Sequence, residues 1–148
     1  MDKALSIYCD GGCHLRKSDG NYEGYCGIYV ELYEKSVTSY YNSMSFYLGK
    51  DTNNEAEYAA FINAVKYAID MCDSGMWFDA IFIFCDSEIV VQQVNGIYDA
   101  IPRMAILRDL ANNLLEILRS KVKVVITHIS GEENKAHCKD WIKLCKGR

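Results

Sequence analysis

The chain has 148 residues, of which 50% are hydrophobic, 24% charged and 12% aromatic, and its net charge is -4. That composition excludes disorder as the main state and fits one globular domain over residues 1–148, with a core of useful size. The acidic balance excludes a protein that coats nucleic acid through bulk charge, but not an enzyme that meets phosphates through metal ions.

No apolar run approaches the roughly 20 residues of a membrane span. Met1 to Asp10 lacks the basic flank and apolar core of a secretory signal. The expectation is a cytoplasmic, intracellular protein without membrane contact, acting as a monomer. The seven cysteines are an odd set with no CxxC pair. They suit a reducing compartment, most of them as small buried hydrophobes. Cys9, Cys13 and His14 are an alternative zinc set, for which the missing CxxC speaks against. Charge is uneven: Lys121 to Arg148 carries seven Lys or Arg against three Asp or Glu. That is either a basic face or a solvated helix.

Residues 4 to 9 place Leu5, Ile7 and Cys9 on one face and read as a strand ending in Asp10-Gly11-Gly12. A polar, glycine-rich stretch follows, from Lys17 to Gly24. Residues 25 to 33 and 37 to 47 are rich in Tyr, Val, Ile and Phe, broken near Glu34-Lys35, and read as a hairpin or meander. Residues 55 to 71 read as an alanine-rich helix, with Thr52 and Glu55 at capping-box spacing. Residues 80 to 85 are a continuous apolar run, expected as a strand buried on both faces and ending in Asp86-Ser87. A short helix spans Ser87 to Val94. Pro102 opens another helix, with Leu107, Leu110, Ala111, Leu114 and Leu118 at helical spacing. Residues 121 to 127 read as a strand ending at His128, and a last helix runs from about Glu133 to Leu144. The order βββαβ(αα)βα predicts a mixed α/β sheet with helices on its faces.

Three predicted strands thus finish at Asp10, Asp86 and His128. Neighbouring parallel strands would bring these to one sheet edge, the usual site of open α/β sheets. Glu57 lies one turn into the alanine-rich helix. Carboxylates in one crevice repel unless a cation neutralises them. An oxygen-only set suits Mg²⁺ or Mn²⁺ better than zinc, and two such ions would serve phosphodiester hydrolysis. Each residue also has a structural explanation. Asp10 could be a turn residue, Asp86 a helix cap, Glu57 a first-turn charge and His128 a partly buried strand end.

The blocks Asp10-Gly11-Gly12, Tyr25-Cys26-Gly27, Thr52-Asn53-Asn54-Glu55-Ala56-Glu57, Asp86-Ser87 and His128 with Asn134 resemble a type 1 ribonuclease H, in order and over nearly the whole chain. The resemblance implies a five-stranded mixed sheet of order 3-2-1-4-5 flanked by helices. It implies an endonuclease that cuts the RNA strand of RNA/DNA hybrids with two Mg²⁺ ions, leaving 5′-phosphate and 3′-hydroxyl ends. Asp10, Glu57 and Asp86 would hold the metals, with Mn²⁺ as a substitute. His128 would aid proton transfer or product release. Gly11, Gly12, Thr52, Asn53 and Asn54 would serve the substrate, the two asparagines in the minor groove where the 2′-hydroxyl marks RNA. Glu57 rather than Glu55 matches the pattern. The two lie about 200° apart around a helix, and Glu55 already caps.

Two positions depart from the pattern. The fourth family carboxylate falls on Cys138, unless the register of the last helix differs; a thiol is a poor Mg²⁺ ligand, and Cys138 also shares a core-facing spacing with Trp141, Ile142 and Cys145. The second metal would then bind weakly, prefer Mn²⁺ or rely on water and substrate phosphate. Asp140 lies on roughly the opposite side of that helix, and His137 is nearer. Glu88 stands where many relatives carry an amide. Neither an added hybrid-binding module nor a basic, tryptophan-rich insertion is expected, so binding is expected to be weak and salt-sensitive, helped by Lys121, Lys123, Lys135 and Lys139 if they face the duplex. Two readings compete with the active nuclease: a hybrid- or duplex-binding domain with a decayed site, and a related nuclease with another nucleic-acid target.

Overall fold

The computed structural model describes residues 1–15, 19–50, 52–97 and 102–137. Within them, β1 spans Lys3–Leu15, β2 Tyr22–Glu34 and β3 Val37–Lys50. Helix α1 spans Asn53–Asp73, β4 Ala80–Cys85, α2 Glu88–Val94, α3 Pro102–Arg119 and β5 Val124–His128. The sheet order is β3-β2-β1-β4-β5. Strands β1, β2 and β3 pair antiparallel, whereas β1–β4 and β4–β5 pair parallel. This is the mixed 3-2-1-4-5 sheet expected above.

Alternation on the strands builds the core. Leu5, Ile7 and Cys9 of β1, Ile28 and Val30 of β2, and Ile81 and Ile83 of β4 are fully buried on one face. Helix α1 covers them closely because Ala56, Ala60, Ala64 and Ala68 recur every fourth residue and are all buried. A ridge of methyl groups lets the helix backbone approach the sheet, while Phe61 and Val65 fill the space beside it. Each fully buried Ile, Leu or Phe contributes roughly 1.5–3 kcal/mol over its exposed state.

Several elements differ from expectation. β1 does not end at Asp10-Gly11-Gly12 but runs on to Leu15, because Asp10, Gly11 and Gly12 keep pairing with Gly27, Cys26 and Tyr25. Its parallel ladder to β4 does stop at Cys9↔Cys85. Only one face of β4 is fully buried. Phe82 and Phe84 are half-buried on the other, where Tyr8 stacks on Phe84 at 4.8 Å. β5 begins at Val124 rather than Lys121, since the end of α3 winds on: the Val122 amide donates to the Leu118 carbonyl at 3.1 Å. No helix begins at Glu133. Residues 131–137 form turns and bends, with Glu133 N bonded to Ser130 O and Asn134 N to Gly131 O. The remainder of that predicted helix lies outside the described residues, as do Cys138, Lys139 and Asp140. Among the described residues, no helix is long and apolar enough to cross a membrane. Among the described cysteines, Cys9, Cys26 and Cys85 are buried.

Candidate active site

The parallel β1–β4 seam sets the site. Its last pair is Cys9↔Cys85, so Asp10 and Asp86 leave the ladder at the same level. The Cys9 thiol registers both. It is pushed well up, first by its hydrogen bond with Cys85 and by burial, then by the charges of Asp10 and Asp86. His128 is the β5 partner of Cys85 and lies at the same edge.

Helix α1 reaches this edge through Gly11. A Cβ built there would lie 2.0 Å from the Ala56 carbonyl oxygen and 2.8 Å from the Glu57 amide nitrogen. Only glycine permits that approach, which brings the backbone of Glu57 against β1. Thr52 caps the helix: its hydroxyl accepts from Glu55 N at 3.3 Å and donates to Glu55 Oε1 at 2.6 Å. Glu55 is thereby engaged with the N-cap hydroxyl, while Glu57 bonds Ser87 and Asn53. The helix starts two residues earlier than expected, which puts exposed Asn53 and Asn54 in its first turn. Gly12 sits half-buried in β1 opposite Tyr25.

Glu57 is half-buried and held on both oxygens. Ser87 Oγ donates to Oε2 at 2.7 Å, and Asn53 Nδ2 donates to Oε1 at 3.3 Å. Burial pushes its carboxyl up, and the charge of Asp86 adds to that, while the two hydrogen bonds pull it down. Asp86 is not a helix cap. Ser87 takes that role, its hydroxyl accepting from Val90 N at 3.3 Å. Nor is Asp10 in a turn. His128 is exposed at its strand end, with Nε2 3.3 Å from the main-chain oxygen of Asp86, where a protonated Nε2 donates.

Two residues of the sequence motifs turn out to build the site without having been given a role. Ser87 links Asp86, α2 and Glu57, as above. Asn134, 1% exposed, donates from Nδ2 to the Cys9 carbonyl at 2.9 Å and accepts from Ala136 N at 3.0 Å. It ties the loop after β5 to the residue before Asp10. Both were visible as motif letters, but neither contact is readable from one sequence. Two of the basic residues expected to help at a duplex make ion pairs with acidic side chains. Lys121 pairs with Asp73 at 2.8 Å at the opposite end of β5, where Lys123 also lies, and Lys135 pairs with Glu31 at 3.0 Å.

The donor chemistry of Asp10, Glu57 and Asp86 is hard oxygen, which fits Mg²⁺ or Mn²⁺. Among the described residues no three acidic, His or Cys side chains converge closely enough to hold an ion as they stand. The oxygens of Glu57 are turned to Ser87 and Asn53 instead. The zinc set of Cys9, Cys13 and His14 likewise forms no such group.

Comparison with known proteins agrees with this architecture. Solved structures include RNase H1 of the halophilic archaeon Halobacterium salinarum, with 24% identity, 95% of this chain and 98% of that chain covered, and a TM-score of 0.71. LC11-RNase H1, isolated from compost by a metagenomic approach and solved with an RNA/DNA hybrid, has 28% identity, coverage of 93% and 92%, and a TM-score of 0.68. The PFV RNase H domain has 18% identity, coverage of 95% and 93%, and a TM-score of 0.69. Comparison with curated protein sequences finds no significant match. The sequence profile described as RNase H matches residues 2–139, and the chain therefore belongs to the RNase H family.

Proposed function

We propose that the protein cuts the RNA strand of RNA/DNA hybrids endonucleolytically, by two-metal-ion hydrolysis that leaves 5′-phosphate and 3′-hydroxyl ends. The observation that carries this reading is the β1–β4 seam, which delivers Asp10 and Asp86 at one level, with Gly11 bringing Glu57 against them. LC11-RNase H1, a relative of similar length, was solved with an RNA/DNA hybrid, which supports that substrate.

Asp10, Glu57 and Asp86 would hold the ions. Bound Mg²⁺ supplies the positive charge that activates a water and stabilises the departing oxygen of a phosphodiester. The chain's own residues do the rest. Asp10 and Asp86 concentrate negative charge at the seam. Ser87 and Asn53 orient Glu57. His128, on the exposed end of β5, moves a proton or releases product. Gly11, Gly12, Thr52, Asn53 and Asn54 would lie under the hybrid, with Asn53 passing from Glu57 to the minor groove. Exposed Glu88, first residue of α2, would disfavour close phosphate approach there.

The test is cleavage of a labelled hybrid with Mg²⁺, Mn²⁺ or EDTA, beside matched double-stranded RNA and DNA. Metal-dependent cutting of the hybrid's RNA strand alone is the expected result. Cutting of another duplex would favour a related nuclease. Binding of the hybrid with no cutting under either metal would favour a binding domain. Cys138→Asp separates the last case further: if Cys138 occupies the fourth ligand position, the aspartate restores cutting, whereas a variant that is only destabilised makes Cys138 a core residue.

A further inference from the structure

We propose that Tyr58 is a positioning residue, whose buried bond to Gln93 seats α2 on α1 and thereby holds Ser87 against Glu57. This rests on the functional reading above, in which Glu57 is a metal ligand.

Ser87 Oγ serves two helices at once. It donates to Glu57 Oε2 at 2.7 Å and accepts from Val90 N at 3.3 Å. Its place is therefore set by the place of α2. That helix has seven residues, too few to be stable by itself, so packing must hold it. Val90, Val91 and Val94 supply apolar contact. Apolar contact resists sliding weakly, because it has no direction. The directional bonds fall at the two ends of α2: Ser87 to Glu57 at its start, and Gln93 Oε1 accepting from the Tyr58 hydroxyl near its end. On α1 the two anchors are consecutive residues, so any rotation of α1 moves both together.

The bond is built for permanence. Tyr58 is 0% and Gln93 7% exposed, so water cannot replace either partner. A phenylalanine would fill the same volume without the bond. Packing alone therefore does not account for a tyrosine here.

The experiment compares wild type with Tyr58→Phe and, as a control for lost stability alone, Val65→Ala. Val65 is fully buried on the same helix. Three quantities are read: kcat and KM on the hybrid, the Mg²⁺ midpoint of turnover, and hydrogen exchange at the Val90 amide in metal-free protein. Tyr58→Phe should lower kcat about tenfold and raise the Mg²⁺ midpoint, with KM within about twofold, as expected for a partner that orients a ligand. Val90 exchange should accelerate while the β1 and β4 amides stay protected. Val65→Ala should lower global stability and leave the Mg²⁺ midpoint unmoved. If Tyr58→Phe does not fold, Gln93→Met removes the same bond at similar volume and is read the same way. Wild-type turnover and Mg²⁺ midpoint in the folded variant, or unchanged Val90 exchange, overturn the proposal. A wild-type chain that cuts no hybrid fails the functional reading instead, and Val90 exchange still decides whether the latch exists.

Discussion

The two ends of the sheet treat acidic side chains in opposite ways. At the end where β1, β4 and β5 begin, Asp79 accepts from the backbone amides of Asp2 and Lys3 at 2.7 and 3.0 Å. Those hydrogen bonds hold its carboxyl below the ordinary value. Nearby, Asp73 pairs with Lys121. At the end where β4 and β5 finish, Glu57 is pushed up by burial and by Asp86. The far end stabilises its charges, whereas the site end makes one costly. A carboxylate that costs folding energy, with a second, Asp86, acting on it, is the electrostatic pattern on which the proposed site rests.

The comparison breaks most directly at Asp10. Asp10→Asn should lower single-turnover cleavage by at least about 100-fold, since losing a ligand exceeds the loss of a ligand's partner. The fold should survive, because the change removes charge from a crowded cluster. Activity within tenfold of wild type would remove Asp10 from the site. Gly11→Ala comes next. Its methyl group would meet backbone atoms of Ala56 and Glu57 that cannot swing aside. Urea unfolding should show a loss of about 3 kcal/mol, the upper range for overpacking, with cleavage falling alongside.

A paired measurement sharpens the contrast between the ends. The raised carboxyl of Glu57 favours folding only while protonated, so its cost is absent below the ordinary carboxylate range and grows as pH rises through it. Glu57→Gln should therefore stabilise the metal-free protein at neutral pH, with the gain vanishing as pH falls through that range. The lowered carboxyl of Asp79 works the other way. Its contribution is present at neutral pH and is lost as pH falls below the ordinary range. Asp79→Asn should destabilise at neutral pH and become neutral in acid. Thermal melts of both variants from neutral to acid pH check the two signs, and equal signs would erase the distinction between the ends.

The sequence revealed the site's ingredients better than its construction. Ala80–Cys85 was legible residue for residue, because a bounded apolar run has few alternatives. Asp10, Asp86 and His128 could be placed at one edge once their strands were taken as parallel neighbours, an order that the family resemblance supplied. Gly11 and Gly12 misled, since glycines read as a turn, whereas here they continue a strand that α1 crosses at close range. The contacts of Ser87 and Asn134 span 30 and 125 residues, and nothing local encodes them. Lys121 and Lys135 were legible as positive charge, but their partners Asp73 and Glu31 come from distant elements.

The smallest effect lies at the turn between β2 and β3, at the far end. Lys35 and Ser36 both have positive φ, 53° and 67°. That is the two-residue hairpin turn whose twist suits the strands, but it favours Asn-Gly rather than Lys-Ser. A side chain in the left-handed region costs roughly 1 kcal/mol per residue. The turn is worth keeping, since Lys35 N donates to the Asp2 carbonyl at 3.2 Å and ties it to the start of β1. Lys35→Asn with Ser36→Gly keeps that amide and relieves the strain. Urea unfolding should show a gain of about 1–2 kcal/mol. Turnover and the Mg²⁺ midpoint should not move, because the turn lies beyond Glu34, whereas Gly27, the partner of Asp10, sits in the middle of β2. A shift in either would mean that the far end is coupled to the site through the length of β1, and that the division between a stabilised end and a reactive end is not clean.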